Sequence, residues 1–252
     1  MKGMQVLDKK VFEEIRIICK EQGKRDPDNA FHVISNLNWY RYEKQIKSAL
    51  YFLPSAGKVL DVGCGWGQTT VMLAASCPSL QVIGVDLVKA ESWTRLKQYG
   101  AQFVVCNALA LPFTNEFDVV ISFGAVEHTG DEGRFLKQIS KVLKAGGYNI
   151  IFNLPNNYAL SEAVARILGM WHHERRYTRR RITELLLAAG FSIIKVDREG
   201  IVPAQVDRLS KKVGNLFNRY YLQLDKLDSW LVRTPFACLS ENWTIYAQKS
   251  RG

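Results

Sequence analysis

The chain has 252 residues, of which 47% are hydrophobic and 23% charged, and its formal net charge is +10. This length allows one domain, or one domain with additions, and the apolar fraction is that of an ordinary globular protein. The longest apolar runs have the length of a strand, which argues against a membrane-spanning helix, and the N-terminus lacks the apolar core of a signal peptide.

Two helices are predicted before the first strand. Residues 8–22 carry apolar positions among charges at helical spacing, and an aromatic-rich helix over residues 38–52 ends before Pro54. We expect residues 1–57 to cover the functional site of a core formed by residues 58–252.

From Lys58 onward, predicted strands and helices alternate. The strands are expected at 58–63, 81–86, 102–106, 117–123, 148–154, 192–199 and 242–249. The helices between them are expected at 68–76, 89–99, 133–144 and 178–189. This alternation predicts an α/β fold with a parallel sheet. Two segments, 156–176 and 201–240, interrupt the alternation and are interpreted as helical insertions.

The segment from Val59 to Gly67 reads Val-Leu-Asp-Val-Gly-Cys-Gly-Trp-Gly. A buried strand, a turn with glycine at every second position and a helix start form a pocket suited to a nucleotide. The spacing is G-x-G-x-G behind Asp61, which differs from the G-x-G-x-x-G of dinucleotide-binding proteins.

This D-x-G-x-G-x-G pattern resembles the first motif of class I S-adenosylmethionine (SAM) methyltransferases, and the resemblance covers roughly residues 40–250. It implies a Rossmann-like fold in which six strands are parallel and the last, at 242–249, is antiparallel. It also implies SAM as the cofactor. The residues expected to bind it are Asp61, Gly63, Cys64, Gly65, Gly67, Asp86, Leu87, Asn107, Ala108, Phe123 and Gly124.

Two of these residues, Asp86 and Asn107, have interpretations that stay open. Asp86 ends the second predicted strand, where a carboxylate can accept both ribose hydroxyls, although an NAD site uses the same device and an aspartate there can also cap a helix. Leu87 is expected to pack on the adenine. Asn107 stands where the family commonly has an acidic residue, and asparagine is also a common turn residue.

The stretch from Leu111 to His128 resembles the small-molecule and quinone-biosynthesis branch of the family. His128 is a candidate general base because its ordinary pKa is near neutral, and the alternative is a histidine that fixes its loop. Some quinone O-methyltransferases hold a divalent metal with E-x-x-E-H. Because the first position of that pattern is Gly124 here, we predict no metal.

The substrate is expected to meet residues on both sides of the core. Residues 172–190 resemble the family's H-x-R-x-[Y/F]-T segment, which makes His173, Arg176 and Tyr177 candidate substrate contacts. Trp39 and Tyr40 of the second predicted helix are further candidates.

Residues 166–219 hold twelve lysines and arginines against five acids, a net +7, and this bias suggests an anionic partner. Three interpretations compete for the insertions: a substrate lid that touches an anionic membrane, a nucleic-acid surface, and a plain helical cap or oligomer contact. The high apolar content favours a membrane over nucleic acid.

These observations predict methyl transfer to oxygen or carbon of a small, lipophilic or lipid-linked acceptor of the quinone, polyprenyl, lipid or glycolipid type. An NAD(P)-dependent oxidoreductase, an RNA methyltransferase and a non-catalytic SAM- or lipid-binding protein are the alternatives. Five scattered cysteines without a C-x-x-C pair favour a cytoplasmic location, to which the insertions add peripheral attachment to the inner face of the membrane. The oligomeric state is not predicted.

Overall fold

The computed structural model describes residues 7–251, apart from residues 28–29, 31–32, 34, 168, 170–171 and 204–210. The strands are β1 (Gly57–Val62), β2 (Leu80–Asp86), β3 (Ala101–Val105), β4 (Phe117–Phe123), β5 (Leu143–Pro155), β6 (Phe191–Glu199) and β7 (Asn242–Lys249). The helices are α1 (Lys9–Arg25), α2 (Asn36–Ala49), α3 (Gln68–Ser76), α4 (Ser92–Leu96), α5 (Glu132–Val142), α6 (Leu160–Ile167), α7 (Arg179–Ala188), α8 (Lys211–Arg219) and α9 (Tyr221–Leu231). Short 3-10 helices cover Leu50–Phe52, Lys97–Tyr99, Val126–His128 and Pro235–Leu239.

The seven strands form one sheet in the order β3-β2-β1-β4-β5-β7-β6. Strand β7 is antiparallel to both of its neighbours, β5 and β6, whereas the pairs among β1 to β5 are parallel. The predicted Rossmann-like topology with an antiparallel last strand is therefore confirmed. The strand order reverses between β1 and β4, and in open α/β sheets ligands bind beyond the carboxyl ends of strands at such a point.

Apolar layers cover both faces of the sheet, as the continuous apolar runs in β1 and β4 require. One layer joins the sheet to α1, α2 and α3, with Ile15, Trp39 and Met72 fully or almost fully buried. The other joins it to α5 and α7 through Phe135, Ile139 and Ile182. The N-terminal helices therefore pack on the same side of the sheet as the helix that follows the glycine-rich turn.

Two predicted helices have the wrong bounds. The helix expected at 89–99 is α-helical only over Ser92–Leu96, because the chain tightens into the 3-10 turn Lys97–Tyr99 and leaves it at Gly100 with φ of 92°. The helix expected to reach 144 ends at Val142, because Leu143 already pairs with Phe117 and opens β5.

The insertion at 201–240 is not one continuous helix. It contains α8 and α9, separated at Tyr220, and then the 3-10 helix Pro235–Leu239, while residues 204–210 lie outside the described residues. The insertion at 156–176 contains α6. Within the described residues, no helix combines the length and the hydropathy needed to cross a bilayer.

Candidate active site

A cavity of about 770 Å³ lies beyond the carboxyl ends of β1, β2 and β4, a volume within the usual range for small-molecule sites. Helices α1 and α2 border it through Gln22, Asn38, Arg41, Tyr42 and Gln45. From the core it is lined by Gly63, Cys64, Gly65, Trp66, Gln68, Thr69, Asp86, Val88, Lys89, Ala90, Phe123, Gly124, Glu127, His128 and Asn153, and from the later segments by His173, Glu199, Gly200, Glu241 and Asn242.

The glycine-rich turn presents bare backbone to this cavity. The amides of Gly63 and Cys64 donate to the carbonyl of Val85 at 2.8 and 3.0 Å, which holds the turn against the end of β2. A Cβ on Gly63 would lie 2.4 Å from the Cβ of Ala125, whereas a Cβ on Gly65 would meet no atom within 4 Å. Open space above Gly65, at φ of +52°, fits the close approach of a ligand to the backbone.

Asp86 connects the turn to β2. Its Oδ2 accepts from the amide of Gly65 at 2.9 Å, and its Oδ1 accepts from the amide of Val88 at 3.1 Å. Each carboxylate oxygen has further acceptor capacity, which two vicinal hydroxyls of a ribose can use. The residues present therefore fit a SAM nucleoside at this end of the cavity.

Asp61 supports the turn from beneath it. The side chain is buried, and its Oδ2 accepts from the hydroxyls of Thr70 at 2.7 Å and Thr69 at 3.1 Å at the start of α3. Burial raises the pKa of Asp61 to about 6. Gly67, at φ of +85°, is the N-cap of α3, and a Cβ there would lie 2.6 Å from the ring of Phe103. We interpret both residues as shaping the turn.

The structure places three predicted adenine contacts away from the lining. Leu87 is exposed, and its neighbour Val88 lines the cavity. Asn107 is also exposed, and its Oδ1 accepts from the amide of Leu109 at 2.8 Å, as in a local turn. Ala108 packs against the apolar layer that joins the sheet to α5 and α7. Their contact with adenine stays a prediction, and Asn107 has the geometry of the turn alternative.

Phe123 and Gly124 form the floor of the cavity at the end of β4. The ring of Phe123 stacks on Phe152 at 4.9 Å and meets Tyr42 edge-on at 6.4 Å. Gly124 has φ of +60°, and a Cβ there would lie 3.8 Å from the Cβ of Asn153. Asn153 itself has φ of 57° beside a register shift in the β5–β7 pairing, a strained conformation often found at functional sites.

Three titratable side chains meet beside this floor. One ligand atom each of Glu127, His128 and His173 lies within 4.8 Å of the other two, which is close enough for the three to share a cation. The Glu127 side chain is 3% exposed, and burial raises its pKa to about 7. His128 is more open, and burial together with His173 lowers its pKa below 6.5. Nδ1 of His173 lies 2.7 Å from Oε1 of Glu162, which orients the ring.

A polar chamber continues past Asn153. The Gln45 amide nitrogen donates to Oδ1 of Asn153 at 2.7 Å and to Oε2 of Glu199 at 2.8 Å. Arg41 contacts Glu241 at 3.3 Å and the buried Asp228 of α9 at 3.2 Å. Burial raises the pKa of Glu199 and of Glu241. This part of the cavity suits hydroxyl or other hydrogen-bonding groups better than a hydrocarbon chain.

Four predicted substrate residues do not line the cavity. Trp39 is buried, and its indole donates to the carbonyl of Val33 at 2.9 Å. Tyr40 packs edge-on against Tyr221 of α9, with ring centroids 5.6 Å apart. Arg176 lies 3.8 Å from Glu162, and the buried Tyr177 donates its hydroxyl to Glu132 at 2.9 Å. The structure thus assigns Trp39 and Tyr177 to packing. His173 lines the cavity, and its contact with a substrate stays a prediction.

The sequence interpretation did not identify the polar chamber. Gln45, Asn153, Glu199 and Glu241 come from four distant segments, and no motif links them. One local signal existed, since Asn153 lies near the end of a predicted strand, where parallel sheets place their ligands.

Residues 60–151 match the family described as a methyltransferase domain. A probable SAM-dependent methyltransferase of Mycobacterium tuberculosis is 29% identical over 155 residues, which cover 61% of this chain and 55% of that protein. A 2-methyl-6-phytyl-1,4-hydroquinone methyltransferase of Synechocystis is 31% identical over 134 residues, 48% of this chain and 42% of that protein. The chain thus spans about half the length of these curated relatives.

A solved structure agrees with the fold. The 1,6-didemethyltoxoflavin-N1-methyltransferase of Burkholderia thailandensis, with S-adenosylhomocysteine bound, superposes with a TM-score of 0.59 at 19% identity over 94% of this chain and 89% of that one. Residues 60–151, which match the methyltransferase-domain family, contain the turn at Gly63–Gly67 and the floor at Phe123–Gly124. By sequence over residues 60–151 and by the topology of its sheet, the chain is similar to class I SAM-dependent methyltransferases.

Proposed function

We propose that this protein transfers a methyl group from SAM to an oxygen or carbon atom of a small acceptor with a polar head and a lipophilic part. One observation carries the proposal: a single cavity joins the turn and Asp86 at one end to His128 and the polar chamber at the other. Phe123 and Gly124 lie between the two ends, where a donor and an acceptor would meet.

SAM supplies a methyl group that its sulfonium already activates, so the protein's part is chiefly to position the acceptor. Asp86 and Gly65 would hold the nucleoside. Gln45 and Asn153 would orient a hydroxyl of the acceptor beside Gly124. Helices α1 and α2 border the cavity and would limit the access of water.

His128 would take the proton from that hydroxyl. Its lowered pKa keeps the imidazole neutral at pH 7 and thus able to accept. Nε2 of His128 lies 3.9 Å from Oε1 of Glu127, so the imidazolium would form beside a carboxyl group that is partly ionised near neutrality.

The chamber and the relatives both support an acceptor of the quinone, polyprenyl or glycolipid type. The polar side chains match a head group with hydroxyls, and one relative is named for a phytyl hydroquinone. A second candidate, RNA methylation, draws support from the exposed arginines that open α7, Arg179, Arg180 and Arg181.

Incubation with methyl-labelled SAM, a lipid extract and total RNA tests the proposal, with D86A as the control expected to lose the donor. We expect label in the lipid or quinone fraction with the wild type alone. Label in RNA would establish the second candidate. Binding of SAM without any transfer would indicate a non-catalytic protein, and binding of NADH in place of SAM would contradict the proposal.

A further inference from the structure

Helix α9 buries acidic side chains and exposes apolar ones, which is the reverse of the usual arrangement. In α9 the buried side chains are Asp225 and Asp228, while Leu222, Leu227 and Trp230 are exposed, Trp230 to 62%. A surface helix of a globular protein ordinarily turns its apolar side inward and its acids outward. The outer side of α9 therefore presents large apolar side chains that the described part of this chain leaves uncovered.

Polar contacts explain why the acids of α9 face inward. Oδ1 of Asp225 accepts from Nζ of Lys44 at 2.8 Å, and Asp228 pairs with Arg41 while accepting from the amides of Ile201 and Val202 at 2.6 and 2.9 Å. These bonds fix which side of α9 meets α2. The exposed apolar side of α9 is thus imposed by polar contacts, one of which is made with Arg41, a residue that lines the cavity.

Helix α6 repeats this arrangement. Leu160, Val164 and Ile167 share one side at helical spacing, and all three are exposed, Ile167 to 82%. The other side carries Glu162, which contacts the cavity residue His173, and Ser161, whose hydroxyl bonds to Glu241. Like α9, α6 turns polar groups toward the chamber and apolar groups toward solvent.

The two helices are tied together. The side-chain amide of Asn156, just before α6, donates to the carbonyls of Cys238 and Ser240 at 2.9 and 2.8 Å, at the end of the segment that contains α9. Helix α8 also packs its inner side on α2, since Asn218 bonds to Asn36. We call the exposed apolar residues Leu160, Val164, Ile167, Leu216, Leu227 and Trp230 the lid face.

The exposed charge from Lys211 to Leu239 has one sign. From Lys211 to Leu239 the acids are Asp225 and Asp228, both buried, whereas Lys211, Lys212, Arg219, Lys226 and Arg233 are exposed. Arg166 is exposed on α6. Apolar side chains among cations, with no exposed acid in Lys211–Leu239, match the interface of an anionic bilayer, where the apolar groups enter the acyl boundary and the cations meet phosphates.

We propose that the lid face docks this protein on an anionic lipid surface. Because the inner sides of α6 and α9 contact the cavity-lining residues His173 and Arg41, docking would bring the cavity close to the bilayer, where a lipid-linked acceptor resides. The delivery of an acceptor rests on the proposed function, whereas the docking itself does not.

Flotation of the full chain with vesicles tests the docking without any acceptor. Vesicles of phosphatidylcholine with 30% phosphatidylglycerol are compared with pure phosphatidylcholine at low and high salt. We expect binding to the anionic vesicles that falls as salt screens the cations. The L227S/W230S and V164S/I167S variants should each lose binding at least about tenfold, because large apolar groups no longer enter the interface.

The chain offers a matched control for the charges. K211E/K212E reverses two lysines at the start of α8, and K9E/K10E reverses two exposed lysines at the start of α1. The first pair should lower binding to anionic vesicles about tenfold or more, and the second should leave it nearly unchanged. SAM calorimetry on every variant shows that the fold is retained.

Several results would overturn the proposal: equal binding to neutral and anionic vesicles, an equal loss in K9E/K10E, or unchanged binding in both serine variants. Dimers that L227S/W230S dissociates would assign the lid face to a second copy of this chain. RNA binding that K211E/K212E abolishes and L227S/W230S preserves would assign it to nucleic acid. Loss of methyl transfer with flotation retained would contradict the proposed function and leave the docking intact.

Discussion

The carboxylate of Asp86 accepts a hydrogen bond of 2.9 Å from the amide of Gly65, so the residue expected to hold the ribose also holds the glycine-rich turn. Replacement by alanine removes both functions. We expect D86A to weaken SAM binding about 100-fold, since hydrogen bonds to charged groups contribute about 1.5–3 kcal/mol each. Calorimetry measures this, with E116Q, a substitution at a half-buried glutamate that pairs with Lys58 outside the cavity, as the control. Unchanged affinity in D86A would remove Asp86 from the donor site.

Gly65 and Gly100 form a matched pair for testing the bare turn. Both have positive φ, +52° and +92°, and a Cβ on either would meet no atom within 4 Å. Each alanine variant should lose about 1–2 kcal/mol of stability from the left-handed backbone. G65A alone should also lose SAM affinity at least about tenfold, because its methyl group would occupy the space of the ligand. Equal affinities in the two variants would show that the ligand does not approach this turn.

The rate should depend on pH through His128. Its pKa is lowered below 6.5 by burial and by His173, so kcat/KM should rise with pH and level off before neutrality. Glu127, with a pKa of about 7, also faces the ring and can add a second, shallower step. His173, held by Glu162, lies beside the ring as well. H128N should lower kcat about 100-fold and abolish the acid limb of the profile, which is the fall in kcat/KM at low pH. A retained acid limb together with a lower Tm would instead assign His128 to fixing the loop.

Stability should fall as pH rises through the pKa of Glu127. Burial raises that pKa from 4.5 to about 7, so between these values the folded state binds more protons than the unfolded state. The stabilisation of the folded state by the protonated Glu127 carboxyl group is complete below pH 4.5 and is lost above pH 7. Because of this group, the free energy of unfolding of the wild type should be about 2–3 kcal/mol lower at pH 8 than at pH 5. E127Q should lack this difference, which urea unfolding at the two pH values measures. E116Q, the control at a half-buried glutamate outside the cavity, should retain the pH dependence of the wild type.

Methyl transfer should not require a divalent metal, because Gly124 replaces the first glutamate of the E-x-x-E-H pattern. Glu127, His128 and His173 nevertheless bring three donor atoms within 4.8 Å of one another, which is close enough to bind a cation. An experiment can therefore contradict the prediction. Dialysis against EDTA should leave activity unchanged within error. Activity that is lost on dialysis and restored by Mg²⁺ or Mn²⁺, with H173A unable to respond, would contradict it.

The sequence alone determined the sheet and the turn, and it indicated SAM as the donor. Strands and helices follow from apolar periodicity, and the glycines at 63, 65 and 67 follow from backbone geometry, so each is encoded within a few residues. Asp86 could be identified because a strand end next to that turn has a known position in the fold. These features are local. Each depends on residues that lie close together in the chain, so a sequence pattern can reveal it.

The tertiary structure decided what lies opposite the donor and which sides of the lid helices face out. Gln45 reaches Asn153 and Glu199 across more than a hundred residues, and His173 joins Glu127 from another segment. Periodicity shows which residues of α6 and α9 share a side, but it cannot show which side is inside. Here the buried ion pair of Asp228 with Arg41 and the contacts of Glu162 override the ordinary apolar-inward rule, and such contacts exist only once the chain has folded.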